Sequence, residues 1–248
     1  MELKRRDLLV GIGGAGAGLI LAGCGGAGKQ SSSKEEPSPK KGEDEKGGEV
    51  TATEDLMREH GVLRRALFIY SETAVKLRAG AAFVAPDALQ KTANLFRSFG
   101  EDYHEKKLEE AYIFPAVKSA GGAAASLPDI LTAQHQRGRE ITDYITSVTR
   151  GPKLGASNAE ELARALEAFV RMYRAHAARE DTIIFPAWKQ TMTSKQLDEM
   201  GDKFEEIEQQ QFGADGYEEA VKQIGDIEGA LGLADIAQFT APPPPATK

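Results

Sequence analysis

Between about residues 51 and 190 apolar side chains return every three to five positions in four long blocks, the period of helices that bury one face. Block A opens on Thr53-Glu54-Asp55, read as an N-cap and an acidic first turn. It carries Leu56, His60, Leu63, Leu67, Tyr70 and Val75, and stops near Gly80. Block B starts around Pro86-Asp87, carries Leu89, Leu95, Phe96, Phe99, Tyr103 and Leu108, and ends by Gly121. Block C follows Leu127-Pro128-Asp129 and runs to Gly151, and block D runs from Ser157-Asn158 through Trp188. The breaks are short enough to make neighbours antiparallel. The expected fold is all-α: an antiparallel up-down four-helix bundle over residues 51–212 with one or two extra C-terminal helices. Thr193-Ser194 caps one of these, from Lys195 to about Gln211. A shorter one, Tyr217 to about Leu231, belongs to an extension over residues 213–240.

The ends of the chain follow a different pattern. Lys4-Arg5-Arg6-Asp7 is a basic start to an apolar stretch, Leu8 to Gly23. That stretch is short for a membrane span of about 20 residues and fits a signal-peptide h-region. Leu21-Ala22-Gly23-Cys24 is similar to a bacterial lipobox. The resemblance implies a signal over residues 1–24, cleavage before Cys24 and lipid on its sulfur. The exported chain would then be anchored to a bacterial membrane and face the periplasm or the cell exterior. Arg5-Arg6 resembles a twin-arginine export signal, with a plain Sec signal as the alternative reading. Residues 25–50 are Gly, Ser, Lys, Glu and Pro with almost nothing apolar, a composition expected to form a flexible tether. The tail, residues 241–248 with Pro242 to Pro245, is expected to be disordered or extended. The net charge of -7 argues against nucleic acid as a partner. A single cysteine excludes a disulfide within the chain and a thiolate metal cage.

The chemistry lies in the polar positions that the helices carry inward. The chain has 4 histidines, His60, His104, His135 and His176. Two of them precede a glutamate, Glu109 and Glu180, and each glutamate opens a matching phrase: Glu109-Glu110-Ala111-Tyr112-Ile113-Phe114-Pro115 and Glu180-Asp181-Thr182-Ile183-Ile184-Phe185-Pro186. His60 and His104 lie about 18 residues from the A–B turn, hence both about 27 Å up the bundle at about 1.5 Å per residue. His135 and His176 match in the same way, which puts all four imidazoles in one layer. His176 and Glu180 share a helix face. His104 and Glu109 are five apart, which turns the second side chain about 140° on an ideal α-helix. A one-residue π-bulge would bring it back. Glu105, adjacent to His104, is the fallback ligand.

Four imidazoles and two carboxylates on four helices suit two iron ions. Two histidines would serve each ion, with Glu109 and Glu180 bridging and positions left open for water, O2, NO or peroxide. A structural zinc site, the alternative, fills its positions with protein ligands and favours Cys/His sets. Tyr103, Tyr112 and Tyr173 read as core packing, with hydrogen bonding behind the ligands as the alternative. Phe114-Pro115 and Phe185-Pro186 read as packing and helix-adjusting elements.

Four ordered motifs resemble those of hemerythrin-like, HHE-type cation-binding proteins. They are Glu54-Asp55-Leu56-Met57-Arg58-Glu59-His60, Asp102-Tyr103-His104-Glu105, Gln134-His135-Gln136-Arg137-Gly138-Arg139 and His176-Ala177-Ala178-Arg179-Glu180-Asp181. The resemblance covers roughly residues 51 to 212 and implies a four-helix bundle around a bridged di-iron centre. It includes both the four- and the five-residue His-to-carboxylate spacing, which supports Glu109. Oxygen-carrying members place a fifth histidine where this chain has Arg139, a departure that makes the two irons more alike and O2 storage less secure. The implied function is binding of O2, NO or peroxide as a sensor, buffer or scavenger. An enzyme acting on peroxide, NO or Fe(II) is the alternative, and a metal-free lipid-tethered adaptor is a third reading.

Overall fold

The structure is a computed structural model and describes residues 50–80 and 84–245. The readings of Cys24, of the export signal and of nearly all of the tether lie outside the described residues. So do residues 246–248.

Helix α1, Ala52–Ala79, begins where the Oγ1 of Thr51 accepts the Glu54 amide at 3.3 Å. The cap is therefore Thr51, not Thr53. Thr53 already lies inside the first turn, its hydroxyl 3.2 Å from that of Thr51, and Glu54 and Asp55 still face the positive end of the helix. Gly80 ends the helix at φ 146°, backbone that a side chain disfavours.

A second long rod follows in three stretches without a break: α2, Pro86–Leu95, a π-helical stretch, Phe96–Ile113, and α3, Phe114–Ala120. Proline at the start of α2 has no amide to satisfy there. The third rod is α4, Pro128–Val148. The fourth is α5, Ala159–Arg179, which runs through a π turn, Glu180–Ile184, into α6, Phe185–Lys189. Then come α7, Ser194–Phe212, which opens on a capping box between Thr193 and Gln196, and α8, Gly216–Leu231, capped by Asp215. Residues 241–245 carry no regular structure. The described residues are helical with no strand.

The two π segments end alike, each one residue before a Phe-Pro pair. Pro115 and Pro186 have no amide hydrogen, and their rings crowd the carbonyl four residues back. The residue before each proline bonds one place further back instead: Phe114 N–H donates to Glu109 O, and Phe185 N–H to Glu180 O. The expected bulge after His104 is thus a π stretch longer than one turn. The second, beginning at Glu180, was not expected from the sequence.

α1 lies along α5, and α4 lies against α2, the π stretch and α5. Below the polar layer the interior is aromatic. Tyr70 and Phe96 meet Phe169 edge-on at 5.4 and 4.9 Å, all three fully buried. α7 covers α1 and the π stretch, and α8 covers α1 and α2.

The contact of α4 with α5 is closest at Gly138, where an added Cβ would stand 2.0 Å from the Tyr173 hydroxyl oxygen. Gly61 on α1 has nothing within 4 Å of the same point. Gly138→Ala is expected to destabilise the chain by about 1–3 kcal/mol through overpacking. Gly61→Ala should stabilise it by up to about 1 kcal/mol through helix propensity. Urea unfolding of both variants checks this; equal effects would mean that Tyr173 does not need the missing side chain.

Candidate metal centre

The six expected ligands lie together. The Nε2 atoms of His60 and His104 stand 3.1 Å apart, and those of His135 and His176 stand 3.0 Å apart. Each glutamate reaches both pairs. Glu109 places Oε1 3.4 Å from His104 Nε2 and Oε2 3.3 Å from His135 Nε2. Glu180 places Oε1 2.9 Å from His176 Nε2 and Oε2 3.6 Å from His60 Nε2. Both carboxylates are 0% exposed, and none of their oxygens accepts a hydrogen bond. A buried carboxylate left in that condition is costly unless a positive partner faces it.

The other nitrogen of every imidazole turns outward to an acceptor. His60 Nδ1 lies 2.7 Å from Asp181, His104 Nδ1 2.6 Å from Glu59, His135 Nδ1 2.9 Å from Glu110 and His176 Nδ1 2.9 Å from the Gln134 side-chain oxygen. Each Nδ1 therefore carries the hydrogen, and a neutral ring presents a lone pair at Nε2. Two such lone pairs about 3 Å apart repel unless a proton or a cation lies between them. The spacing is that of neighbouring ligands at right angles on one ion, with about 2.1 Å to each nitrogen.

Glu109 and two of the imidazoles shift one another's affinity for protons. Burial alone would strip His104 and His135 of their charge. Instead Glu109 and Glu59 raise the His104 pKa well above its ordinary value, and Glu105, Glu109 and Glu110 push His135 up to about 10. Against the same burial, His104 and His135 hold Glu109 well below the usual carboxylate range. A polar cluster that attracts protons this strongly attracts cations for the same electrostatic reason.

Glu105 is turned to other work: it accepts from the Tyr173 hydroxyl at 2.7 Å and from Arg139 at 3.1 Å. Tyr103 donates to Glu59 at 3.1 Å. Tyr112 does not approach the centre but packs edge-on against Phe204 at 5.8 Å. The phenylalanines of the repeated phrases each stack on a histidine, Phe185 on His60 at 5.4 Å and Phe114 on His135 at 5.5 Å. Reading the sequence missed the outward partners Glu59, Glu110, Gln134 and Asp181. Each is adjacent in sequence to one of the six expected ligands, and that adjacency was the available signal.

A cavity of about 20 Å³ adjoins the cluster, with Leu63, Leu67, Phe96 and Ala177 as its apolar lining and His60, His104, His176, Glu105, Glu109, Glu180 and Tyr173 among its polar lining. It has room for about one water-sized molecule. His135 does not line it. No described helix is long and apolar enough to cross a membrane.

The family described as the hemerythrin HHE cation binding domain matches residues 51–188. Among curated proteins, uncharacterised proteins of Mycobacterium bovis and of two strains of Mycobacterium tuberculosis are 40% identical over 242 residues, covering 95% of this chain and 90% of theirs. No solved structure matches significantly.

Proposed function

The chain belongs to the hemerythrin HHE cation-binding domain family, and from that premise we propose a non-haem di-iron protein that binds O2 or a related small oxidant, NO or peroxide, as a sensor, buffer or scavenger. In this reading residues 51–212 form an antiparallel four-helix bundle. His60 and His104 would hold one ion and His135 and His176 the other, with Glu109 and Glu180 serving both. The observation that carries it is the placement of both glutamates between the two imidazole pairs, with four oxygens that no hydrogen bond satisfies.

The donor set fits iron: imidazoles suit several borderline metals, and bridging carboxylates favour the harder ferric state. When bound, a pair of irons supplies open coordination positions and a change of oxidation state toward a small oxidant. The chain supplies the rest. Asp181, Glu59, Glu110 and Gln134 fix the ring orientations and keep the hydrogen off Nε2. Leu63, Leu67, Phe96 and Ala177 give a neutral diatomic molecule an apolar wall and leave little room for bulk water.

Wild-type chain loaded with iron should hold about two irons and absorb in the near ultraviolet as bridged ferric pairs do. His60→Ala and Glu180→Ala should each fall well below two. Unchanged iron content in both variants, or no such absorption in wild type, contradicts the assignment. Anaerobic ferrous protein titrated with O2, NO and peroxide then identifies the ligand, and repeated consumption of peroxide would move the assignment from binding to catalysis.

We propose further that residues 1–24 export the chain and that lipid on Cys24 ties it to a membrane, the apolar run and its closing cysteine being the support. Cys24→Ser should move the exported protein from the membrane fraction to the soluble fraction. Retention of the variant in the membrane fraction would remove the anchor.

A further inference from the structure

We propose that Arg64 and Arg139 are matched positioning residues, each holding the acid that orients the histidine one helical turn before it. The inference rests on the two-cation reading above. Arg64 follows His60 by four residues on α1, and Arg139 follows His135 by four on α4, so each arginine shares a face with its histidine. Each reaches an acid on a different rod, the residue directly after a bridging glutamate. Asp181, after Glu180, offers Oδ1 to His60 Nδ1 and Oδ2 to Arg64. Glu110, after Glu109, offers Oε1 to both His135 Nδ1, at 2.9 Å, and Arg139, at 2.7 Å. The repeated phrase thus supplies the opposite histidine with a bridging carboxylate, an Nδ1 acceptor and a stacked phenylalanine, and the arginine locks the acceptor.

The physical need is specific. An acid at Nδ1 orients a ring only while its own rotamer is fixed, and a carboxylate near the surface has water as a rival partner. A guanidinium fixes that rotamer with directed N–H groups and stays charged throughout.

The two clamps differ in depth. Arg139 has a side chain 18% exposed and also binds buried Glu105. Arg64 is 46% exposed and borders the small cavity. Arg64 is therefore the residue that can be replaced with least damage to the core.

Zinc, a diamagnetic probe, tests this in the full chain by chelator competition and by the imidazole Nδ1–H resonances. Wild type should bind two zinc ions. Arg64→Met should weaken one of the two binding steps by about 10–100-fold and shift the His60 resonance while leaving that of His135 in place. Arg64→Lys should recover part of the affinity, and Arg139→Met should mirror the pattern at His135. Should Arg139→Met fail to fold, Arg64→Met decides alone. Wild-type affinity together with an unmoved His60 resonance in Arg64→Met overturns the proposal, as does an equal shift of both histidines. A wild-type chain that takes up no zinc overturns the two-cation reading itself.

Discussion

Two carboxyl groups, those of Glu109 and Glu180, lie wholly out of water in the middle of the helices with no hydrogen bond to any oxygen. Leaving such a group uncompensated costs several kcal/mol, more than any single hydrophobic contact nearby contributes. Only a positive partner on the inner side stabilises them, and the four imidazoles that face them are themselves pinned from behind through Nδ1. The rest of the interior is arranged to keep that layer in place. The π widening brings Glu109 inward, ordinary α spacing from His176 does the same for Glu180, the aromatic cluster of Tyr70, Phe96 and Phe169 fills the space below, and α7 and α8 cover the outer sides.

The layer is built twice from one plan. A histidine and an arginine one turn apart, a Glu-acid pair, and a Phe-Pro that both widens the helix and stacks on a ring recur in each half. The copies diverge where function asks for difference. His104 is backed by the carboxylate of Glu59, whereas His176 is backed by the neutral amide of Gln134. The residue after His104 is the carboxylate Glu105, bound to Tyr173 and Arg139, and the residue after His176 is the apolar Ala177; both border the cavity. The small space beside the centre therefore has both apolar and polar walls, and it borders His60, His104 and His176 but not His135. The two cation positions would share a ligand set yet meet an incoming molecule differently.

Much of this was legible in the sequence. The helical blocks follow from period, glycine and proline, and the convergence of the six side chains follows from the duplicated phrase together with the equal distances of His60 and His104 from their turn. What escaped was of two kinds. The second π turn closes before Phe185-Pro186 as the first closes before Phe114-Pro115, but His176 and Glu180 already share a face at four residues, so nothing in their spacing demanded it. The outward acceptors, three acids and the amide of Gln134, look like solvated positions until rods meet. Asp181 and Arg64 stand 117 residues apart and become partners only in three dimensions. The misplaced cap at Thr53 has a simpler origin: two threonines two positions apart offer the same chemistry, and only the backbone of Thr51 is extended.

X-ray absorption at the iron edge of the iron-loaded chain tests most directly whether six side chains hold a pair of ions. A pair bridged by Glu109 and Glu180 predicts nitrogen and oxygen neighbours, with about two imidazoles per iron, and a second iron as scatterer at about 3.5 Å. Iron surrounded only by light atoms, with no metal neighbour in that range, would contradict it.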